Sequence, residues 1–117
     1  MANLWYKCKG DVWCDLFKLD MEHEVLKKAE GVFIIWTGAK ERKVLKVGSG
    51  TIRSMLMSAK SDIAIHAFAN IGVFVTWAEV GAVKRSGVEL YLINKLKPLV
   101  VSYTPKAIPI KIGLPWD

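Results

Sequence analysis

Glu89 is the residue whose type and position most need a chemical explanation. In the segment from Val83 to Lys97, at roughly 100° per residue, Val88, Leu92, Ile93 and Leu96 fill one apolar arc, and Glu89 falls inside it. Lys84, Arg85, Asn94, Lys95 and Lys97 mostly take the other sides. A carboxylate turned toward a core is costly unless it is paired, protonated or bound to a cation. Two accounts are open. Glu89 forms an ion pair with a nearby lysine or arginine, or sits on a helix end past the sheet edge. Alternatively it is a metal ligand at the mouth of a groove, where a hard divalent cation takes one carboxylate plus substrate phosphate.

The remaining chemistry is basic and aromatic. The net charge is +6, with short basic runs at Lys27-Lys28, Lys40 to Lys46 and Lys84-Arg85. A positive surface favours polyanions, because neutralised phosphates release counterions. The five tryptophans are scattered and read as core and rim packing before base stacking. Cys8 and Cys14 are not spaced as a Cys-x-x-Cys pair, and only His23 and His66 are present to complete a zinc site. His66, close to Ile65 and Phe68, reads as a packed or surface residue before a general base. No stretch approaches the ~18 apolar residues of a membrane span, and Met1 to Lys9 lacks the order of a signal peptide. The expected location is cytoplasmic, with no membrane partner and with both cysteines as reduced thiols.

The elements that must position Glu89 follow from periodicity. A 117-residue chain without repeat, linker or low-complexity segment has room for a single domain. Asp20 to Glu30 suits a helix, with Leu19, Val25, Leu26 and Ala29 on one side and Gly31 as the stop. Val32 to Trp36 and Val44 to Val47 flank the polar loop Thr37 to Lys43 and predict a hairpin, bracketed by Gly31 and Gly48. Ile52, Met55, Leu56 and Ala59 share a helical face that Ser49 or Thr51 would cap. Residues 61–70 lean to helix, with Asp62 as cap. Val73 to Val80 reads as a central strand, and Val83 to Lys97 as a helix stopped by Pro98. The proline-bearing tail, with Ile108, Ile110 and Ile112 alternating, reads as extended chain laid against the domain edge to bury those isoleucines. The predicted class is α/β (α+β), with a small, mostly antiparallel three-stranded sheet flanked by helices.

In this order the residues resemble the GIY-YIG nuclease superfamily over about Gly31 to Val101. Gly31-Val32-Phe33 stands at the first signature, Lys46-Val47-Gly48 at the second, and Glu89 through Pro98 at the third-helix signature. The ending Leu114-Pro115-Trp116 is similar to that of small bacterial members. The resemblance implies a core of about 31–101 within a single domain 1–117, preceded by a helical segment and followed by the extended tail. It also implies a nuclease chemistry with one divalent metal, Mg2+ or Mn2+, held by Glu89. In that chemistry a tyrosine helps generate the nucleophile and an arginine stabilises charge on the phosphate.

The chain departs from the family at those residues. Phe33 and Lys46 replace the two tyrosines, Met55 occupies the arginine position, and Val101 stands where an asparagine is often found. Arg53 lies roughly 160° from Met55 on the wheel and substitutes only by reaching around the helix. The expected function is a nuclease-like domain that binds DNA or RNA through Lys46, Arg53, Lys60, Lys84 and Arg85, with cleavage weak or lost. One alternative is an active endonuclease using Lys46, Arg53 and Glu89 in a remodelled site. The other is a protein-interaction or homodimerisation module that uses the Trp- and Ile-bearing tail.

Overall fold

The computed structural model describes residues 4–38, 40–101 and 103–116. Its axis is the strand running Glu30–Thr37, buried from Gly31 to Thr37 because it has a strand on each side and a packed layer on each face. Numbered along the chain, the elements are β1 (Cys14–Asp15), α1 (Glu24–Lys28), β2 (Glu30–Thr37), β3 (Lys43–Thr51), α2 (Ile52–Lys60), α3 (Ile63–His66), β4 (Val73–Glu79) and α4 (Ala82–Leu96). The sheet order is β1-β4-β2-β3, and every pairing is antiparallel.

The period-2 rule of a strand divides β2 between two cores. Phe33 and Ile35 pack with Leu26, Ile52, Leu56 and Ile65 from α1, α2 and α3. Val32, Ile34 and Trp36 pack with Val88 and Leu92 of α4. Between Ile35 and Trp36 the register slips, so that Ile35 faces Lys46 and Trp36 faces Val44. Leu45 is the extra residue of this bulge, and its side chain is fully buried with the α1–α3 layer.

The predicted hairpin, the α2 face, the central strand and the long last helix all form. The α2 face buries Ile52, Leu56 and Ala59. Asp62 caps α3, its side chain accepting from Ala64 N at 2.9 Å. Lys97 turns left-handed at φ 49 just before Pro98 and ends α4. In the hairpin loop, Ala39 lies outside the described residues.

Several expectations are corrected. The sheet has four strands rather than three, because the two-residue β1 pairs with β4 through Cys14–Val75 and Asp15–Phe74. The first helix is shorter than Asp20 to Glu30. Asp20 spends its carboxylate on Glu22 N in a turn, His23 becomes the cap, and Glu30 already belongs to β2. Gly31 and Gly48 accordingly lie within strands rather than bracketing them. The cysteines are not free thiols: Cys8 and Cys14 form a disulfide, closing a turn whose backbone also pairs through Cys8 N and Val12 O at 2.8 Å.

The tail does lie against the domain. Leu99 and Val100 donate to the carbonyls of Val44 and Leu45 on β3, and Ile110 N donates to Gly87 O at 2.9 Å. Gly87 is what allows this approach, since a Cβ there would sit 2.6 Å from Ile108 O. Ile112, Leu114 and Trp116 pack on the α4-side core, but Ile108 is 85% exposed, so the alternating isoleucines are not all buried. Among the described residues, no helix is long and apolar enough to cross a membrane.

Candidate functional site

At the open edge of β3 a cleft of about 160 Å³ lies between the strand, α2, α4 and the chain after Pro98. Its polar side chains are Lys46, Ser49, Glu89 and Tyr103. Glu89 reaches it from the apolar face of α4, between the buried Val88 and Leu92, and is itself only 7% exposed. Ser49 comes from β3, where it stands opposite Val32 on the face turned toward α4. The Ser49 hydroxyl donates to Oε1 of Glu89. Neither Ser49 nor Thr51 caps α2 by its side chain.

Burial pushes the Glu89 carboxyl above the usual carboxylate range, and the Ser49 hydrogen bond and the positive charge of Lys46 pull it only part of the way back. Among the described residues no lysine or arginine forms an ion pair with it. The first account of Glu89, a structural ion pair, is therefore replaced by a serine-held carboxyl with a lysine charge nearby.

Phe33, at the first signature position, is fully buried. Its ring lies so close to Gly48 that a Cβ there would meet Cζ at 2.5 Å. It contributes packing and no hydroxyl. Met55, at the arginine position, lines the cleft with a thioether, and Val101 lines it as well.

Arg53 does not join them. Its Nε donates to Met21 O at 2.8 Å and its Nη2 meets Glu22 Oε2 at 2.6 Å, which ties α2 to the turn before α1. Arg85 folds back on its own helix start, with Nε and Nη2 each 3.1 Å from Val80 O. Lys84 is exposed and Lys60 sits at the end of α2. Of the five basic residues assigned to nucleic acid, Lys46 alone lines the Glu89 cleft among the described residues. His66 is exposed on the surface, where its ring meets Phe17 edge to face with centroids 5.4 Å apart.

Sequence reasoning missed Ser49 as the partner of Glu89, and it missed Tyr103. The serine's signal was its place just after the second signature, on the strand nearest the last helix. Tyr103 is 69% exposed on the tail and had no periodic signal at all.

A divalent cation would find one free carboxylate oxygen here, with Oε1 already engaged by Ser49. Among the described residues no three of His, Cys, Asp and Glu cluster as a ligand set. A hard divalent cation at this point would have to take its remaining ligands from water and phosphate.

No protein-family model, curated protein or solved structure matches this chain.

Proposed function

We propose that the chain is a nuclease-like domain of the GIY-YIG type that holds a nucleic-acid phosphate at the β3 cleft, with cleavage weak or lost. The observation that carries this reading is a carboxyl buried in the apolar face of α4 that still lines an open cleft beside Lys46. A hairpin feeding the centre of an antiparallel sheet, with the glutamate-bearing helix against its second strand, supports the same reading.

Lys46 supplies a point charge for phosphate, without the bidentate geometry of an arginine fork. Glu89, when ionised, would hold Mg2+ or Mn2+, which shares the negative charge developing on phosphate. Arg53 is spent elsewhere and Met55 carries no charge. Losing one such electrostatic group typically costs on the order of 10²–10³ in rate, which is why binding is proposed to outlast cleavage. The Cys8–Cys14 disulfide runs against the cytoplasmic location expected from the sequence, because a reducing pool keeps such thiols apart.

The test is fluorescence anisotropy of labelled DNA and RNA over a range of KCl, for wild type and Lys46→Gln. Affinity should fall steeply with salt, and the variant should flatten the log–log slope by about 1. Equal, salt-insensitive binding by both proteins would sink the reading. Incubation with Mg2+ or Mn2+ beside Glu89→Ala then reports whether any cleavage belongs to this site.

One observation favours a protein-interaction reading as well. Leu99, Val101 and Tyr103 are each at least half exposed beside the β3 edge, an apolar rim suited to a second copy of the chain. A concentration-dependent dimer in sedimentation, lost in Tyr103→Glu, is its expected signature.

A further inference from the structure

The opposite end of the sheet carries a larger cavity. The backbone N–H of Tyr6 donates to Trp77 O at 2.9 Å, and Thr76 Oγ1 donates to Tyr6 O at 2.7 Å, so the N-terminal segment continues the sheet beside β4. The Tyr6 and Trp77 rings are stacked, with centroids 4.5 Å apart and planes 11° apart. They form one wall of a cavity of about 410 Å³, against Leu19 and the fully buried Leu26. That volume falls within the roughly 300–1,000 Å³ of small-molecule sites, which the Glu89 cleft does not reach.

The rim of this cavity is built and positively charged. Lys9 stands on the tight turn that the Cys8–Cys14 disulfide closes, and Lys18 on a turn whose backbone N–H reaches Asp15 O at 3.1 Å; both side chains are exposed at the rim. Neither lysine forms an ion pair among the described residues. His23 accepts from Val25 N through Nδ1 at 3.2 Å, so its neutral ring carries the hydrogen on Nε2 as a donor. Asp20 is the single acid lining the cavity, and its Oδ1 already accepts from Glu22 N. The acids next along the chain are engaged too, Glu22 by Arg53 and Glu24 by Lys28. An apolar slot walled by aromatic rings, with two lysines outweighing one aspartate and a histidine donor at its mouth, complements one kind of molecule.

We propose that the cavity between the Tyr6–Trp77 stack and Leu26 binds a small aromatic acid. The flat ring packs against the stacked pair and Leu19, and the acidic group meets Lys9 and Lys18. This site is separate from the Glu89 cleft, so its fate does not depend on the nuclease-like reading.

The test uses indole-3-acetate as the probe, in a ¹⁵N–¹H NMR titration of the whole chain. Saturable shifts are expected at the Trp77 indole N–H and at the amides of Lys9, Leu19 and His23. Indole-3-acetamide, the same shape without the charge, should bind on the order of tenfold more weakly. Lys9→Gln/Lys18→Gln, which keeps the aromatic and aliphatic walls and alters only the charge of the rim, should remove the preference for the acid. Leu19→Trp fills the slot and should abolish the shifts of both compounds. The proposal is overturned by any of three results: no saturable shifts, shifts centred elsewhere, or equal binding of acid and amide to the wild type.

Discussion

The two edges of this sheet are finished by different means. At the β3 edge, among the described residues, the chain after Pro98 pairs with Val44 and Leu45, and the strand beyond them opens onto a small cleft. What organises that cleft is polar: a buried carboxyl, a serine hydroxyl and a lysine charge. At the β4 edge the N-terminal segment runs alongside the strand from Tyr6 to Leu16, and a disulfide ties its turn together. The cavity there is larger and its walls are aromatic and aliphatic. One edge thus presents a lysine and a serine beside a buried carboxyl, the other a wider pocket with mostly apolar walls. The same sheet presents a cleft tuned by protonation and a pocket held by cross-linking.

The largest expected effect breaks the covalent side of this contrast. Cys8→Ser/Cys14→Ser should lower unfolding free energy by about 2 kcal/mol, the loop-closure contribution of a short bridge, read as a shifted urea midpoint. An unchanged midpoint would mean that the β4 edge owes nothing to the cross-link. Next in size is Arg53→Ala. It removes two hydrogen bonds from a side chain about one-third exposed, and should cost about 1 kcal/mol. Because Arg53 braces the turn that carries Asp20 and His23, the variant should loosen indole-3-acetate binding and leave DNA affinity alone. The reverse result would return Arg53 to the cleft.

The smallest effect is a tilt in pH. The folded-state pKa of Glu89 is raised above its unfolded value, so the folded protein binds more protons across that window. The stabilising contribution is complete below the unfolded pKa and is lost as pH rises through the folded one. Glu89→Gln keeps a hydrogen-bonding partner for Ser49 and should flatten this part of the stability–pH curve. A curve of the same slope in wild type and variant would show that the carboxyl is not desolvated.

Much of the fold was legible because it is written in local periods. Ile52, Leu56 and Ala59 gave α2, the apolar run from Val73 gave β4, and Pro98 marked where α4 had to stop. Where those signals were weak, the reading failed. β1 is two residues long, too short for any alternation, and exists only because β4 lies beside it. The first helix lost its opening turn to Asp20, whose short side chain competes for backbone N–H groups. The candidate site was read in part. The helical wheel found Glu89, and the hairpin brought Lys46 near it.

By itself, then, the sequence determined the classes of element, their order and the presence of a carboxyl on the wrong face of the last helix, since each depends on neighbours within a turn or two. Tertiary structure alone decided the partners. Ser49 and Glu89 are 40 residues apart, and Arg53 and Glu22 are 31 apart. Whether an arginine serves a cleft or a distant turn depends on which side chain the fold brings within hydrogen-bond reach. The disulfide is of the same kind: short spacing permits it, but the turn from Cys8 to Val12 and the pairing of Cys14 with Val75 bring the two sulfurs together.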